Sequence, residues 1–198
     1  NTPSNPTGCH YSQRQLNELA AWAKSKDIFI ISDEIYDQLV YEPAKPASLA
    51  GFWAENKDRV AVVNGLSKSM AMTGWRVGFC LAHKDLIKAM TKIQGQSTSN
   101  PNAIAQKAAL AALTGPTDEL EEMVRTYESR RTWLVDALNR IPGMDCITPD
   151  GAFYVFPSVA DWLGKTTPSG TLLEDDVAIC EWLLEDAGVA LVPGTAFG

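Results

Sequence analysis

Four short stretches of this 198-residue chain carry side chains capable of chemistry, each next to a predicted helix or strand. They are Asn5-Pro6-Thr7-Gly8, Ser32-Asp33-Glu34-Ile35-Tyr36, Asn64-Gly65-Leu66-Ser67-Lys68 and Thr73-Gly74-Trp75-Arg76. Open α/β sheets bind their ligands beyond the carboxyl ends of their strands. An amide, a carboxylate, a phenol, an amine and a guanidinium are therefore expected to converge on one edge of a sheet.

Each stretch alone has an ordinary structural explanation. Asn5-Pro6-Thr7-Gly8 is a common turn sequence, and Asp33 could simply cap the residues that follow it. Tyr36 could be core packing, Lys68 a solvated lysine and Arg76 a salt-bridge partner. The order and spacing of all four stretches together favour a functional site.

The elements that must position these residues are visible as apolar patterns. Residues 28–31 and 60–63 are continuous apolar runs, typical of strands buried on both faces of a parallel sheet. Residues 75–82 predict a third strand, and Ser12 is the predicted N-cap of a helix that extends to about Lys26. Further helices are predicted at 84–94, 102–113, 118–140 and 174–186, and short strands at 146–147, 153–156 and 189–192.

The pattern changes after the long helix, which ends at Pro142-Gly143. We therefore predict an α/β fold with two parts. Residues 1–120 form part of a larger domain with a mostly parallel sheet and helices on both faces. Residues 121–198 hold a long linking helix and part of a small α+β domain.

Composition excludes several classes of function. The net charge of −7 and the pI near 4.8 argue against binding to nucleic acid or to an anionic membrane surface. No apolar run is long enough to span a bilayer. The four cysteines form no C-x-x-C pair and there are only two histidines, so no metal site is predicted. A reducing, cytoplasmic setting is expected.

In order and spacing the chain resembles the fold-type I pyridoxal-phosphate-dependent aminotransferases (class I/II). Within them it is most similar to the bacterial branch of aspartate aminotransferases. The matching segments are Asn5-Pro-Thr-Gly, Asp33-Glu-Ile-Tyr36, Ser67-Lys68 and Met72-Thr-Gly-Trp-Arg76. Similarity continues through 93–101 and Gly151-Ala-Phe-Tyr154, so it covers essentially the whole chain.

The resemblance implies pyridoxal 5′-phosphate as cofactor, and transfer of the amino group of aspartate, or a related amino acid, to 2-oxoglutarate. Lys68 matches the catalytic lysine that forms the Schiff base, and Asp33 matches the carboxylate paired with the ring nitrogen. Asn5 and Tyr36 match the residues that hydrogen-bond to the ring oxygen, and Arg76 matches a phosphate ligand.

The sequence departs from the family pattern at one position. Relatives often have a serine three residues before the lysine as a phosphate ligand, where this chain has Gly65. Ser67 is the expected substitute. Residues 97–101 resemble a segment that approaches the neighbouring subunit's active site, or they are a helix start capped by Ser99 or Asn100. Tyr154 lies near the substrate entrance or is an inward-facing strand aromatic.

The resemblance also implies a C-terminal-half fragment of a protein that is a homodimer when full length. The fragment alone is expected to be catalytically silent. Three alternatives stay open: another enzyme of this fold, such as an aromatic or prephenate aminotransferase or a carbon–sulfur lyase; the aminotransferase-like domain of a transcription regulator; and a folding fragment without activity.

Overall fold

The computed structural model describes all of residues 1–198 and contains six α-helices and three β-strands. In chain order they are α1 Gln13–Ser25, β1 Ile30–Asp33, α2 Ala50–Glu55, β2 Val60–Gly65, β3 Gly78–Leu81, α3 Lys84–Ser97, α4 Ala103–Thr114, α5 Asp118–Leu138 and α6 Asp176–Ala187. All five predicted helices are confirmed. Ser12 caps α1 through a reciprocal capping box with Gln15. The short helix α2 was not predicted.

The strands form one mixed sheet in the order β1-β2-β3. β1 and β2 are parallel, with Ile30 paired to Val60. β2 and β3 are antiparallel, with Gly65 paired to Gly78. The α/β class is confirmed, but the third strand begins at Gly78 instead of residue 75, because Thr73–Trp75 forms a 3₁₀ turn.

One face of this sheet carries the main core. Leu16 and Ala20 of α1 pack with Leu49 and with Val60 and Val62 of β2. The opposite face is open, since Ile31 is 70% exposed. The prediction that these strands are buried on both faces was therefore wrong. No part of the chain packs over Ile31 to exclude water from it.

The three short strands predicted at 146–147, 153–156 and 189–192 do not form. Pairing in this part of the chain is limited to isolated bridges, such as Val40 with Gly151 and Asp145 with Ser158. A strand needs a neighbouring strand to satisfy its backbone groups, and no extended partner lies beside these runs.

The long helix α5 packs directly on the residues that follow β1. Met123, Val124 and Tyr127 of α5 contact a small cluster built on Leu39 and Ala152.

The predicted domain division at residue 120 stays a prediction. None of the helices combines the length and the apolarity that crossing a bilayer requires.

Candidate active site

Lys68 lies in the turn that follows β2. The turn is closed by hydrogen bonds from the Met70 and Met72 amides to the Leu66 carbonyl, at 3.1 and 3.2 Å. The half-buried Lys68 Nζ lies over two aromatic rings, 5.9 Å from the centroid of Tyr36 and 5.5 Å from that of Phe153. Such cation–π contacts hold a lysine ammonium in place. No carboxylate forms a salt bridge with it, so no ion pair has to break before the deprotonated amine can meet an electrophile.

Tyr36 is 4% exposed and is the centre of this aromatic cluster. Its ring meets Phe153 and Tyr154 edge-on, at centroid distances of 5.5 and 5.6 Å. Its hydroxyl is hydrogen-bonded to the hydroxyl of Tyr154. Burial raises the pKa of Tyr36 well above its usual value, and the Tyr154 hydrogen bond and the charge of Asp33 raise it further. The phenol therefore stays protonated and able to donate.

Asp33 ends β1 beside this phenol. One carboxylate oxygen accepts a hydrogen bond from the Ile35 amide at 3.2 Å, as a local cap does. The Asp33 carbonyl accepts from the Thr2 amide at 3.0 Å. The second carboxylate oxygen accepts no hydrogen bond and remains free for a further partner. The capping role and a ligand role are thus compatible.

The neighbouring Glu34 is different, because both of its carboxylate oxygens accept hydrogen bonds within the protein. It is 2% exposed and accepts hydrogen bonds from Ser32 Oγ at 2.8 Å, Ser48 Oγ at 2.6 Å and the Leu49 amide at 2.9 Å. Glu34 therefore ties the 48–49 loop to the end of β1. Its importance was not predicted from the sequence, where it looks like a second acid beside Asp33.

Asn5 and Ser67 lie near the cluster without joining it. Asn5 occupies an exposed turn, and its backbone N–H donates to Asn1 Oδ1 at 2.7 Å. That turn follows Thr2, which is bonded to the end of β1. The side chains of Asn5 and Ser67 make no hydrogen bond with Tyr36 or Lys68. Their roles stay predictions.

Arg76 lies at a separate cleft. Its backbone is left-handed, with φ of 54°, and its Nη1 donates to the Thr73 carbonyl at 3.0 Å. Both features direct the guanidinium toward a cleft of about 600 Å³ that it lines together with Asn100 and Ile104. The structure thus places Tyr36 between the Lys68 amine and the charge of Asp33, whereas the Arg76 side chain makes no hydrogen bond with any of the three and donates to its own turn.

Gly65 occupies a place where the backbones of β2 and β3 come close together. A Cβ atom added there would lie 3.0 Å from the Val77 carbonyl oxygen and 3.1 Å from Gly78 Cα. The departure from the family's serine therefore has a packing consequence in this chain. A side chain at Gly65 would push against β3.

The structure also corrects one sequence-based prediction about a helix cap and adds one residue to the site. Asn102, and neither Ser99 nor Asn100, caps α4, and its side chain accepts from the Ile104 amide at 2.8 Å. Phe153, which sequence reasoning did not assign, covers the Lys68 amine. The sequence signal that could have pointed to Phe153 was the Gly-Ala dipeptide before two aromatics. The glycine lets the backbone come close to the turn after β1, because a Cβ on Gly151 would lie 2.6 Å from the Leu39 carbonyl oxygen.

The whole chain, residues 1–198, matches the family model for aminotransferase class I and II, and the chain belongs to that family. Among its relatives are aspartate aminotransferases from Rhizobium meliloti (strain 1021) and Geobacillus stearothermophilus. Each is 44% identical over all of this chain, which covers 48% of the first and 49% of the second.

Solved structures agree with this membership. The aspartate aminotransferase from Rhizobium meliloti superposes with a TM-score of 0.92 at 43% identity, covering 99% of this chain and 49% of that one. The aromatic aminotransferase from Pyrococcus horikoshii OT3 superposes with a TM-score of 0.89 at 36% identity, covering 99% of this chain and 50% of that one. The chain spans about half the length of the curated relatives it matches.

Proposed function

We propose that this chain supplies the amine-bearing half of an aminotransferase that uses pyridoxal 5′-phosphate. The amino donor is aspartate or a related amino acid, and the acceptor is 2-oxoglutarate. Family membership over residues 1–198 supports the reaction class, and the two aspartate aminotransferase relatives support the donor. The observation that carries the proposal is the unpaired Lys68 amine held over two aromatic rings.

The side chains present fit the proposed cofactor. Lys68 would bond to its aldehyde carbon, and the free oxygen of Asp33 would pair with its ring nitrogen. The protonated phenol of Tyr36, with Asn5, would donate to its ring oxygen. A guanidinium can grip a phosphate with two parallel hydrogen bonds, so Arg76 is the proposed phosphate ligand, and Ser67 is the candidate hydroxyl beside it.

When bound, pyridoxal phosphate supplies an electron sink for the substrate's α-carbon. The chain's own residues do the rest. The Lys68 amine would move the proton of the substrate's α-carbon, first as a general base and then as a general acid. The charge of Asp33 would favour a protonated ring nitrogen. Phe153 shields the amine from water on one side.

The test is amino transfer from aspartate to 2-oxoglutarate by the protein that carries this chain. Lys68→Ala is expected to lower the rate by about 10³-fold or more, because it removes the proton-transfer group as well as the covalent attachment. The matched control is the exposed Lys165→Ala, which should keep the full rate. Borohydride reduction with the cofactor should tag the Lys68 peptide, and a tag on another lysine would refute the assignment.

An aromatic amino donor is the second candidate, because a solved aromatic aminotransferase matches 99% of this chain at 36% identity. Comparing kcat/KM for aspartate and phenylalanine decides between the two. A ratio above about tenfold in favour of aspartate is expected, since a donor's second carboxylate gains a charge-assisted contact that phenylalanine cannot make.

We further propose that the protein is a cytoplasmic homodimer. Its four cysteines are all free thiols, which fits a reducing compartment. Ile104, on the rim of the Arg76 cleft, is 72% exposed, and exposed apolar surface of this kind suits a subunit contact. Light scattering should give twice the mass of one chain, and Ile104→Glu should shift it toward the monomer.

A further inference from the structure

We propose that Arg131 of α5 is a positioning residue for the Lys68 site. It clamps residues 149–152, and so holds Phe153 and Tyr154 in place over the amine and the phenol. The importance of this clamp for catalysis rests on the proposed function, but the clamp itself can be tested without measuring amino transfer.

The clamped segment needs external support, because it belongs to no helix or strand. Its backbone is tied to the turn after β1 by hydrogen bonds from the Ala152 amide to the Leu39 carbonyl at 2.8 Å and from the Tyr41 amide to the Asp150 carbonyl at 2.9 Å. The Asp150 and Gly151 amides also donate to the Gly8 carbonyl, at 3.1 and 3.0 Å. These bonds hold residues 150–152, but none of them reaches Phe153 itself.

Tyr41 provides the next link. It is 2% exposed, and its hydroxyl donates to the carbonyl oxygen of Ala152, the residue directly before Phe153. The position of the Tyr41 ring therefore determines where the backbone enters the aromatic cluster. Any group that fixes this ring also fixes Phe153.

Arg131 is that group. Its guanidinium carbon lies 4.7 Å from the centroid of the Tyr41 ring, within cation–π range. Its Nη1 donates to the Pro149 carbonyl at 3.0 Å, and its Nη2 donates to Glu128 at 3.3 Å. One side chain, 13% exposed, thus holds Pro149 directly and Ala152 through Tyr41.

The packing between α5 and this segment leaves a place for the link. Tyr127 of α5 stacks on Phe153 with the ring centroids 5.5 Å apart, and beside this contact lies a cavity of about 230 Å³ lined by Leu134, Phe153 and Val155 among others. Apolar contact across a void is weak, because the facing atoms lack partners. Arg131 bridges α5 to the segment through its planar fork, which a lysine cannot reproduce.

The test compares Arg131→Met, Arg131→Lys and Tyr41→Phe with the matched control Arg130→Met. Arg130 is the neighbouring arginine on α5, exposed and without an ion pair, and it lines the same cavity as Arg131 without bonding to residues 149–152. Cofactor-free protein is reductively methylated with formaldehyde and cyanoborohydride, and mass spectrometry gives the rate at Lys68 relative to the exposed Lys165. Losing the cation–π contact should speed Lys68 methylation about fivefold in Arg131→Met. The increase should be smaller in Arg131→Lys and Tyr41→Phe, and absent in Arg130→Met.

The proposal would be overturned if the rate of methylation at Lys68 relative to Lys165 were unchanged in folded Arg131→Met. It would also be overturned if that relative rate rose equally in Arg130→Met. If Arg131→Met does not fold, as judged by circular dichroism, Arg131→Lys and Tyr41→Phe decide by the same ratio. If Arg131 only stabilised the fold, Arg131→Met would lower the free energy of unfolding without changing the relative methylation rate at Lys68. Retention of amino transfer by Lys68→Ala would instead refute the proposed function and leave the methylation result standing.

Discussion

Lys68 and Arg76 are close in sequence but occupy very different surroundings. The Lys68 amine is half-buried over the rings of Tyr36 and Phe153, and an aromatic cluster surrounds it. The Arg76 guanidinium is exposed, makes one hydrogen bond to its own turn and lines an open cleft of about 600 Å³.

The difference shows which side of the proposed site is built by tertiary packing within this chain. The surroundings of Lys68 draw on residues from distant parts of the chain, so the covalent half of the proposed chemistry depends on tertiary packing. The Arg76 side chain is held by its own turn, although residues such as Asn100 and Ile104 complete the cleft that it lines. Substitutions on the Lys68 side should therefore affect stability, whereas those on the Arg76 side should leave the fold intact.

The largest effect on stability is expected from Glu34→Ala, beside Asp33 at the end of β1. It leaves three donors, two of them buried, without an acceptor, and should lower the free energy of unfolding by about 4 kcal/mol. Urea unfolding measures it. Glu42→Ala is the control, because that side chain is 84% exposed and should change stability by less than about 0.5 kcal/mol. Equal losses for both variants would contradict the structural role of Glu34.

Gly65→Ser introduces the serine that the resemblance leads one to expect at this position and should cost about 2 kcal/mol, because the new Cβ crowds the β3 backbone. Gly74→Ser, where nothing lies within 4 Å of an added Cβ, is the matched control and should be neutral. Thermal unfolding of the two variants gives the comparison. A neutral Gly65→Ser would mean that the strands separate easily and that packing does not explain the glycine.

Tyr154→Phe removes the hydrogen bond to Tyr36 and should cost about 1 kcal/mol. It should also lower the pKa of Tyr36 toward its ordinary range, although burial, the larger cause, keeps it raised. Titration of phenolate absorbance measures the shift. Tyr11→Phe, at an exposed tyrosine, should leave the Tyr36 titration unchanged.

The raised tyrosine pKa values predict how stability depends on pH. Burial raises the pKa of Tyr41 to about 12, above the value of about 10 in an unfolded chain. The folded state thus holds this proton more tightly. The resulting stabilisation is complete below about pH 10 and is lost as the pH rises through the folded-state pKa. Unfolding curves measured over this alkaline range check it, and stability that stays constant would contradict it.

The smallest change in stability is expected for Arg76→Ala, at less than about 0.5 kcal/mol, since the side chain is exposed. Affinity for the proposed cofactor should nevertheless fall by about 30-fold, because Arg76 is its proposed phosphate ligand and would make a charge-assisted contact. Equilibrium dialysis and urea unfolding of the same preparation separate the two effects. A large loss of stability would break the contrast between the two sides.

Local patterns predicted much of the fold. The runs at 28–31 and 60–63 identified β1 and β2 to within about two residues, and Ser12 marked the start of α1. The proximity of Tyr36 and Lys68 is in line with the rule that ligands bind beyond strand ends, while the roles of the site residues stay predictions. Each of these depends on interactions between near neighbours or on a general property of sheets.

The remaining features depend on contacts that no local pattern encodes. Residues 153–156 have the composition of a strand but no partner strand, so their aromatic side chains cover Lys68 instead. The direction of Arg76 depends on a left-handed backbone at a residue other than glycine, which its sequence neighbours do not specify. Cavities and cation–π contacts such as that of Arg131 arise only after the chain has packed.

The bond between Tyr36 and Tyr154 joins residues 118 positions apart. Bringing such distant positions together costs chain entropy before the contact repays it, so the aromatic cover is expected to close late in folding. Until then a newly made chain presents a bare Lys68 amine to every reactive aldehyde in its surroundings. Rapid closure would therefore protect the amine from chemical damage before it ever meets its proposed cofactor.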